Sequence, residues 1–462
     1  MEFASVWFVE IFLPVTLAVY YVMGTIKKEW RRMNIRNVFL LVASLLFYAW
    51  GGLWQTLIFV AMIAVNFIAG IWMEILEEKK NLRKAVFITA TAINVHILVV
   101  FKALGSHVSM LAISFITFQA VSYLADVYMD KVKAAKRPIK FSLYMSLFAQ
   151  MTQGPIMRYG DLGPQITKRR HSLEQFLAGL KRFSYGLAKK VLIANVVAKA
   201  VDDIWVAEKI ATHSTGTAWL GLILYAIQIY YDFSGYTDMA IGVGGMFGFK
   251  ISENFNYPYT SLSVQDFWRR WHMSLSFWFR DYIYIPLGGS RCSKRRIYFN
   301  LFMVFLLTGI WHGTTKTFIC WGLLFAVFSI VERAFLGDLL KKNPIKPINW
   351  LYTMFVILMG WVFFRAPGLR LALAYMGRLF AFEPATTGLT VLTYLNLEVI
   401  LAAIAGILFS GFVQRPLEKL YVKMKENRIV VGADILIQLV LFAWSLIRLV
   451  GGSYNPSIYG NF

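Results

Sequence analysis

Apolar stretches close to the length of a membrane span recur along this chain. A helix needs about 20 mostly apolar residues to cross a bilayer. Such stretches occupy residues 4–24, 37–54, 56–75, 85–101, 109–128, 218–249, 299–312, 317–335, 348–364, 396–413 and 433–450. Only 16% of the 462 residues are charged and 58% are hydrophobic, whereas an ordinary soluble protein has about 25% charged residues to cover its surface. The pattern predicts an all-α polytopic membrane protein with about 11 transmembrane helices.

The distribution of basic residues predicts how these helices are oriented. Residues 25–36, 76–84 and 129–140 are rich in Lys and Arg, whereas residues 51–56 contain neither. Cytoplasmic loops accumulate Lys and Arg, so the three basic loops are predicted to be cytoplasmic and the N-terminus extracytoplasmic. The first apolar run lacks a preceding basic segment and is long enough to span, so we expect no cleaved signal peptide. The same topology accounts for the net charge of +22, and nucleic-acid binding is not expected.

The middle of the chain is less regular than its ends. Residues 141–157 are apolar but interrupted by a Gly-Pro pair, which predicts a re-entrant segment, and residues 171–200 have the pattern of an amphipathic helix. We expect one membrane domain with three parts. These are an N-terminal five-span bundle (1–140), a catalytic core with re-entrant and interfacial helices (141–335) and C-terminal spans (336–462).

His312 ends an apolar run, LFMVFLLTGIWHG, with no acidic residue close in sequence. Desolvation favours the neutral imidazole, which can accept a proton, so His312 is a candidate general base for a hydroxyl group. Thr308 and Gly309, one turn earlier, predict a small surface beneath the ring with room for a substrate. The structural alternative is a helix-end histidine bonded to the backbone.

His272 lies in the segment QDFWRRWHMSLSFWFRDYIYIPLGGSR, residues 265–291. Read as one helix, this segment has Trp268, His272 and Phe279 on one face and its arginines off that face, which predicts an interfacial helix. The imidazole then points toward protein or lipid. From this segment alone, a histidine bonded to a neighbouring carbonyl is the favoured alternative.

Asp232 is a carboxylate in apolar surroundings, within YAIQIYYDFSGYTDMAIG. Burying an ionisable group in such a run costs free energy, so we expect the group to have a partner or a function. It could cap a helix, hold a cation or orient a histidine, and capping is the favoured interpretation.

Several familiar chemistries have no motif in the sequence. There is no G-x-S-x-G elbow, P-loop or H-E-x-x-H zinc motif, and neither His272 nor His312 is followed four residues later by Asp. The two cysteines, Cys292 and Cys320, are too few for a four-ligand zinc site. No metal site and no bound cofactor are predicted.

Motifs along the chain resemble those of a known family. FWRRWHMSLSFWFRDYIYIPLGGSR, TGIWHG, YYDFSGYTDMAIGVGGMFGFKISENFNYPY and GGSYNPSIY are similar to the motifs of membrane-bound O-acyltransferases. The branch they resemble acetylates alginate and other extracellular polysaccharides and is related to the D-alanyl transferase of teichoic acids. Further similar segments, at residues 113–128, 153–159 and 179–195, extend the resemblance over almost the whole chain.

The resemblance implies a fold and two site residues. The family fold is a ring of spans around a central funnel, in which a cytoplasmic acyl donor meets an acceptor from the other side of the cell membrane. The essential histidine of the family's WHG block corresponds to His312, and the second active-site histidine corresponds to His272. We then expect His312 to act as general base at the neck of the funnel, while His272 polarises the donor thioester or holds the acceptor.

The resemblance also implies substrates and partners. The expected donor is acetyl-CoA or an acyl carrier thioester on the cytoplasmic side of the inner membrane. An extracytoplasmic acetyltransferase of the SGNH-like type, or a polymer-synthesis protein, is the expected partner outside. Weaker candidates for substrate binding are Trp311, Trp271, Asp232, Arg269, Arg280 and Arg291.

The basic stretch Arg291, Lys294, Arg295 and Arg296 has two interpretations. It could bind the phosphates of a CoA donor, although ordinary positive-inside charge is the favoured explanation.

Two alternative functions remain open from the sequence. One is D-alanyl transfer from a carrier protein to a cell-envelope polymer. The other is a transporter or flippase, a class that typically shows inverted repeats with paired broken helices. We find no such repeats in the sequence.

Overall fold

The computed structural model describes residues 2–104, 112–385, 390–424, 426–452 and 454–456. His107 and part of the C-terminal motif GGSYNPSIY lie outside these ranges. Within the described ranges, every regular element is helical. The prediction of an all-α protein is confirmed.

The helices of the first half of the chain include three short 3-10 turns and two π-helical segments. In order they are Trp7–Phe12, Leu13–Val22, Met23–Thr25, Glu29–Ala49, Leu53–Ile75, Lys80–Leu104, Ile113–Tyr128, Pro138–Ser146, Phe148–Gln150, Tyr159–Thr167, Leu173–Ala188, Lys189–Ala194, Asn195–Ile204, Ala207–Ile210, Thr215–Met246 and Pro258–Thr260.

The helices of the second half contain the two histidine motifs. They are Val264–Arg270, Met273–Phe279, Arg280–Tyr284, Lys294–His312, Lys316–Val331, Glu332–Leu336, Gly337–Lys342, Lys346–Arg365, Leu369–Leu379, Val391–Tyr394, Leu397–Ile407, Leu408–Phe412, Gln414–Met424 and Arg428–Val450.

Six helices of the described chain are long and apolar enough to cross a membrane, and a bent pair raises the number to seven. The six are Trp7–Thr25, Leu53–Ile75, Lys80–Leu104, Lys316–Lys342, Lys346–Arg365 and Arg428–Val450, and the bent pair is Leu397–Phe412 with Gln414–Met424. The expected number of about 11 is not confirmed. The helices at two of the other expected spans are not among these six. Glu29–Ala49 begins in the basic loop, and Ile113–Tyr128 has only 16 residues.

Many apolar side chains lie on the outside of these helices. On Arg428–Val450, Ile435, Leu436, Leu439 and Val440 are all exposed. Contiguous exposed apolar surface of this kind would be unstable in water and is typical of contact with lipid. The protein is therefore a membrane protein.

The chain divides into two compact units. The first contains Met1–Gly186 and Tyr236–Glu253, and the second contains Leu187–Gly235 and Asn254–Ile458, as far as these ranges are described. The expected division at residues 140 and 335 stays a prediction.

Two of the irregular segments have the expected local structure. After helix Pro138–Ser146 the chain forms the short turn Phe148–Gln150, so the apolar stretch 141–157 is broken rather than continuous. The expected helix over residues 171–200 is also present, because Leu173–Ala188 continues through the π-helical segment Lys189–Ala194 into Asn195–Ile204.

Candidate functional site

His312 is the last residue of helix Lys294–His312, in the second unit. Its side chain is 6% exposed, and four aromatic rings surround the imidazole. The ring centres of Trp311, Trp321 and Phe364 lie 4.5, 5.0 and 5.0 Å from it, and that of Phe318 lies 6.1 Å away. An imidazole enclosed in this way is largely removed from water, which disfavours its charged form.

The surface one turn before His312 does not leave the room that the sequence predicts. A Cβ atom on Gly309 would lie 2.6 Å from the Phe318 carbonyl oxygen and 3.3 Å from Gly322 Cα. Helix Lys316–Val331 therefore packs directly against this glycine, backbone to backbone. The Thr308 hydroxyl donates to the Val304 carbonyl. The small residues allow close helix packing instead of forming a substrate pocket.

The chain does not form one helix through His272. Helix Val264–Arg270 ends two residues earlier, and a second helix, Met273–Phe279, begins one residue later. His272 itself has φ of 45°, in the left-handed region, which bends the chain between the two helices. The prediction of a single interfacial helix with Trp268, His272 and Phe279 on one face is therefore wrong.

Asn254 holds the chain in this bend. Its carbonyl accepts the Met273 N–H at 2.9 Å, and its side-chain Oδ1 accepts the Ser274 N–H at 3.1 Å. The Ser274 hydroxyl donates to the same Oδ1 at 2.9 Å. These bonds satisfy the first backbone donors of helix Met273–Phe279, which would otherwise be orphaned.

The same Asn254 oxygen fixes the tautomer of His272. Because a backbone N–H can only donate, the Ser274 bond identifies the Asn254 atom as oxygen rather than nitrogen. His272 Nδ1 lies 3.1 Å from it and therefore carries the proton, which leaves the lone pair on Nε2. The side chain is 3% exposed, and burial lowers the pKa of His272 to about 3. The imidazole is neutral at physiological pH.

Asp232 forms a buried ion pair and does not cap a helix. It lies in the interior of helix Thr215–Met246, so the favoured interpretation from the sequence is wrong. Its carboxylate is 2.5 Å from the Lys190 ammonium, which also donates to the Pro456 carbonyl. The adjacent Phe233 ring lies edge-on to His272, with centres 4.7 Å apart. Asp232 thus anchors the helix that packs against His272.

The three candidate arginines are all exposed, in different settings. Arg280 pairs with its neighbour Asp281 at 2.6 Å and lies over the Phe277 ring. Arg269 lines a cavity of about 760 Å³ in the second unit. Other charged residues around this cavity are Lys294, Arg333, Lys341, Lys346, Asp266, Glu332 and Asp338. Among the described residues, neither histidine lines it.

A chain of aromatic contacts connects the neighbourhoods of the two histidines. The candidate Trp271 packs on Trp361 with ring centres 5.0 Å apart, and Trp361 packs on Phe364 at 5.7 Å. Phe364 in turn contacts His312. Trp311 lies beside His312 itself. The structure thus gathers Trp271, Trp311 and both histidines in one aromatic region, while Arg280 and Arg291 lie on the surface.

Two residues of this region were missed by the sequence interpretation. Lys190 lies within the predicted amphipathic helix at residues 171–200, and its apolar context, YGLAKKVLIAN, is a signal that it pairs with a buried acid. Asn254 lies 18 residues before His272, and no spacing rule connects the two.

Comparison with known proteins agrees with the motif resemblance. The model of the MBOAT, or membrane-bound O-acyltransferase, family matches residues 40–376. The chain is 34% identical to the probable alginate O-acetylase AlgI of Pseudomonas fluorescens over the full length of both proteins. It is 35% identical to the peptidoglycan O-acetyltransferase of Helicobacter pylori over 79% of this chain and 77% of the relative. It is also 33% identical to the teichoic acid D-alanyltransferase of Bacillus subtilis, over 48% of this chain and 58% of the relative.

The family match covers most of the chain and includes both histidine motifs. The similarity to the probable alginate O-acetylase AlgI extends over the full length and so includes the residues outside 40–376. The protein belongs to the membrane-bound O-acyltransferase family and is an O-acyltransferase.

Proposed function

We propose that this protein carries out the membrane step in the O-acetylation of an extracellular polysaccharide. It takes an acetyl group from acetyl-CoA on the cytoplasmic side of the inner membrane and delivers it to an extracytoplasmic partner through a central funnel. The probable alginate O-acetylase AlgI of Pseudomonas fluorescens, similar over the whole chain, and the peptidoglycan O-acetyltransferase support the acetyl group and the polymer class. The N-terminus is extracytoplasmic in this proposal, because the basic loops face the cytoplasm.

The observation that carries the proposal is the enclosure of His312 by aromatic rings. A neutral imidazole accepts the proton of an acceptor hydroxyl as its oxygen attacks the thioester carbonyl. The tetrahedral intermediate then collapses, the carbon–sulfur bond breaks, and the thiolate takes the proton back from the imidazolium. The products are the acetyl ester and free thiol, and His312 is neutral again.

His272 is better suited to hold the acceptor than to polarise the thioester. Polarising a carbonyl requires a donated hydrogen bond or a positive charge, whereas the Nδ1 proton of His272 is directed at Asn254. The lone pair on Nε2 can accept a hydrogen bond from an acceptor hydroxyl. We assign His272 this binding role, and Trp271 and Trp311 the shaping of the surrounding apolar wall.

The cavity lined by Arg269 and Lys294 is the proposed contact for the donor's phosphates. Guanidinium and ammonium groups form charge-assisted hydrogen bonds with phosphate oxygens. Arg291, exposed just before Lys294 in sequence, extends the same basic surface.

The proposal is tested by replacing His312 in cells that acetylate the polymer. His312→Gln keeps a polar side chain but removes the base, and we expect the O-acetyl content of the polymer to fall by at least about 100-fold. His96→Gln is the matched control, because His96 is exposed on helix Lys80–Leu104. Acetylation at the wild-type level in a normally inserted His312→Gln protein would refute the catalytic assignment.

The related D-alanyltransferases support a second candidate function, D-alanyl transfer from a carrier protein. Purified protein incubated with labelled acetyl-CoA distinguishes the two. Transfer of label to a partner or to water that depends on His312 supports the acetylation proposal. Transfer from a D-alanyl carrier thioester, with none from acetyl-CoA, would replace it.

A further inference from the structure

Two buried arginines in the first unit lie against the same tyrosine ring. The side chains of Arg36 and Arg169 are 5% and 7% exposed. Their guanidinium carbons lie 4.6 and 5.6 Å from the centre of the Tyr20 ring. A Cβ atom on Gly24 would collide with the Arg36 guanidinium, so the glycine leaves the space that this side chain fills.

The protein groups that contact these arginines are neutral. Arg169 donates from Nε to the Tyr20 hydroxyl at 2.9 Å and from Nη1 to Asn37 Oδ1 at 2.8 Å. Arg36 donates from Nε to the Tyr20 carbonyl at 3.1 Å. In the described chain neither guanidinium forms an ion pair with a carboxylate, and the buried Arg169 Nη2 has no hydrogen-bond partner there.

His171 completes the cluster without compensating its charge. Its Nε2 lies 2.8 Å from the Tyr20 hydroxyl. Burial, together with the positive charges of Arg36 and Arg169, lowers the pKa of His171 to about 4, so the imidazole is neutral. Burial lowers the pKa of Arg169, but an arginine side chain is not deprotonated in proteins, so both guanidinium groups keep their charge. The cluster therefore holds two positive charges that no described carboxylate balances.

Two buried positive charges without a counter-ion reduce the stability of the fold unless an anion binds to them. Removing one partner of a buried ion pair is strongly destabilising, because the other charge is left uncompensated. Here two like charges are buried close to one ring, and the buried Arg169 Nη2 group has no hydrogen-bond partner among the described residues. A phosphate group, with several acceptor oxygens and negative charge, matches guanidinium donors in geometry and in charge.

The position of the cluster in the chain indicates the level of the membrane at which it lies. Tyr20 is near the end of the first span, Trp7–Thr25, and Arg36 is the last residue of the basic loop at residues 25–36. The charge pattern predicts that this loop is cytoplasmic. Basic pockets between spans on that side lie at the depth of lipid headgroups.

We propose that Arg36 and Arg169, with Asn37 and Tyr20 as positioning residues, form a binding site for a phosphate group. The group is the headgroup phosphate of an anionic phospholipid or a free phosphate anion, and both present the same chemistry to the two guanidiniums. The site lies within the first unit, whereas both candidate histidines lie in the second, and it is independent of the proposed catalytic function.

The test uses the full-length protein, delipidated in detergent, with Arg36→Gln and Arg169→Gln as variants. Arg31→Gln is the matched control, because it removes one charge from the same loop at an exposed position. Thermal unfolding is measured against added phosphatidylglycerol and, separately, against inorganic phosphate at constant ionic strength. We expect at least one of these additions to raise Tm of the wild type and of Arg31→Gln. The apparent affinity should be at least about tenfold weaker in both buried variants.

The additions also distinguish the two sources of phosphate. A response to phosphatidylglycerol alone identifies a headgroup site, and a full response to inorganic phosphate identifies a free-anion site. Equal responses of the wild type and both buried variants, or no response of the wild type to either addition, would overturn the proposal.

A second measurement covers the case in which the glutamine variants do not fold. Arg36→Lys and Arg169→Lys keep the charge but lose the forked donor geometry. Native mass spectrometry should then show less retained phosphatidylglycerol or phosphate on these variants than on the wild type and Arg31→Gln. Equal retention by all four proteins also overturns the proposal.

Discussion

The Lys190 ammonium lies 2.5 Å from the Asp232 carboxylate, with only 5% and 3% of the two side chains exposed. Helix Thr215–Met246 carries both Asp232 and Phe233, and the Phe233 ring contacts His272. Lys190 also binds the Pro456 carbonyl, so one ammonium connects the C-terminal segment to this helix. The buried pair therefore stabilises the wall against which His272 packs.

Removing one member of this pair should destabilise the protein more than removing both. Asp232→Leu leaves the buried Lys190 charge without its anion, and Lys190→Met leaves the buried Asp232 charge without its cation. Each single change costs about 3–5 kcal/mol. The double variant Lys190→Met, Asp232→Leu replaces the two charges with apolar groups, and its loss should be well below the sum of the single losses. Thermal unfolding in detergent measures all three variants. Additive losses would show that the two side chains act independently.

The sequence predicted Asp232 as a residue of interest but not its partner. An isolated carboxylate in an apolar run costs free energy unless it has a partner. The sequence alone allows it to cap a helix, to hold a cation or to orient a histidine. Choosing between them requires knowing which helix packs beside it. Lys190 lies 42 residues away, in a helix whose register only the folded chain fixes.

The contact between Asn254 and His272 leads to a second prediction. Asn254→Ala removes the acceptor for His272 Nδ1 and for both Ser274 donors, so the ring loses its fixed tautomer and the bend loses its support. Misplacing a reacting group by about 1 Å can cost about 100-fold in rate, and we expect polymer acetylation to fall by at least about tenfold.

Asn256→Ala is the control for this change, because its side chain bonds to Arg415 instead of to His272. It should retain most of the wild-type acetylation. If the two alanine variants are equally active, the hydrogen bond to Asn254 does not position His272.

The bend at His272 also shows why the apolar spacing wrongly predicted one continuous helix. The apolar spacing from Trp268 to Phe279 fits one helix, and the pattern contains no glycine or proline to suggest an interruption. The left-handed conformation of His272 is held by bonds from Asn254, which is distant in sequence. Periodicity reports which residues are apolar, whereas tertiary hydrogen bonds decide whether the helix continues.

The depressed pKa of His272 leads to a third prediction, on stability against pH. The unfolded imidazole titrates near 6.5, and the folded one near 3. Between these values the unfolded state binds more protons, so stability rises with pH there and is lost on acidification from about 6.5 toward 3. The contribution of His272 is about 1.4 kcal/mol per pH unit within this window. The depressed pKa values of His171 and His213 act in the same direction.

Thermal unfolding at pH 7 and pH 5 measures this dependence. The wild type should lose stability at pH 5, and His272→Gln should lose less between the two values, because it has no proton to take up at this position. An identical acid-induced loss in the two proteins would show that His272 does not titrate as the buried geometry requires.

The close contact at Gly309 leads to the last prediction and corrects the expectation of a substrate pocket beside His312. Gly309 and Gly322 face each other, and a Cβ on Gly309 would lie 2.6 Å from a backbone oxygen that has no flexible side chain to give way. Gly309→Ala should therefore separate helices Lys294–His312 and Lys316–Val331. Overpacking of this kind costs about 1–3 kcal/mol. Because His312 ends the first of these helices and packs on Phe318 and Trp321 of the second, acetylation should fall with stability.

Gly377→Ala is the matched control for this substitution. Gly377 lies inside helix Leu369–Leu379, and a Cβ there would have nothing within 4 Å. Alanine is preferred over glycine in a helix by about 0.5–1 kcal/mol, so this variant should be as stable as the wild type or slightly more stable. Unfolding temperature and polymer acetylation are measured on both variants. They separate the steric clash of a methyl group between two helices from the general effect of replacing glycine with alanine in a helix. If Gly309→Ala gains stability as Gly377→Ala does and keeps full acetylation, the packing of these two helices does not position His312.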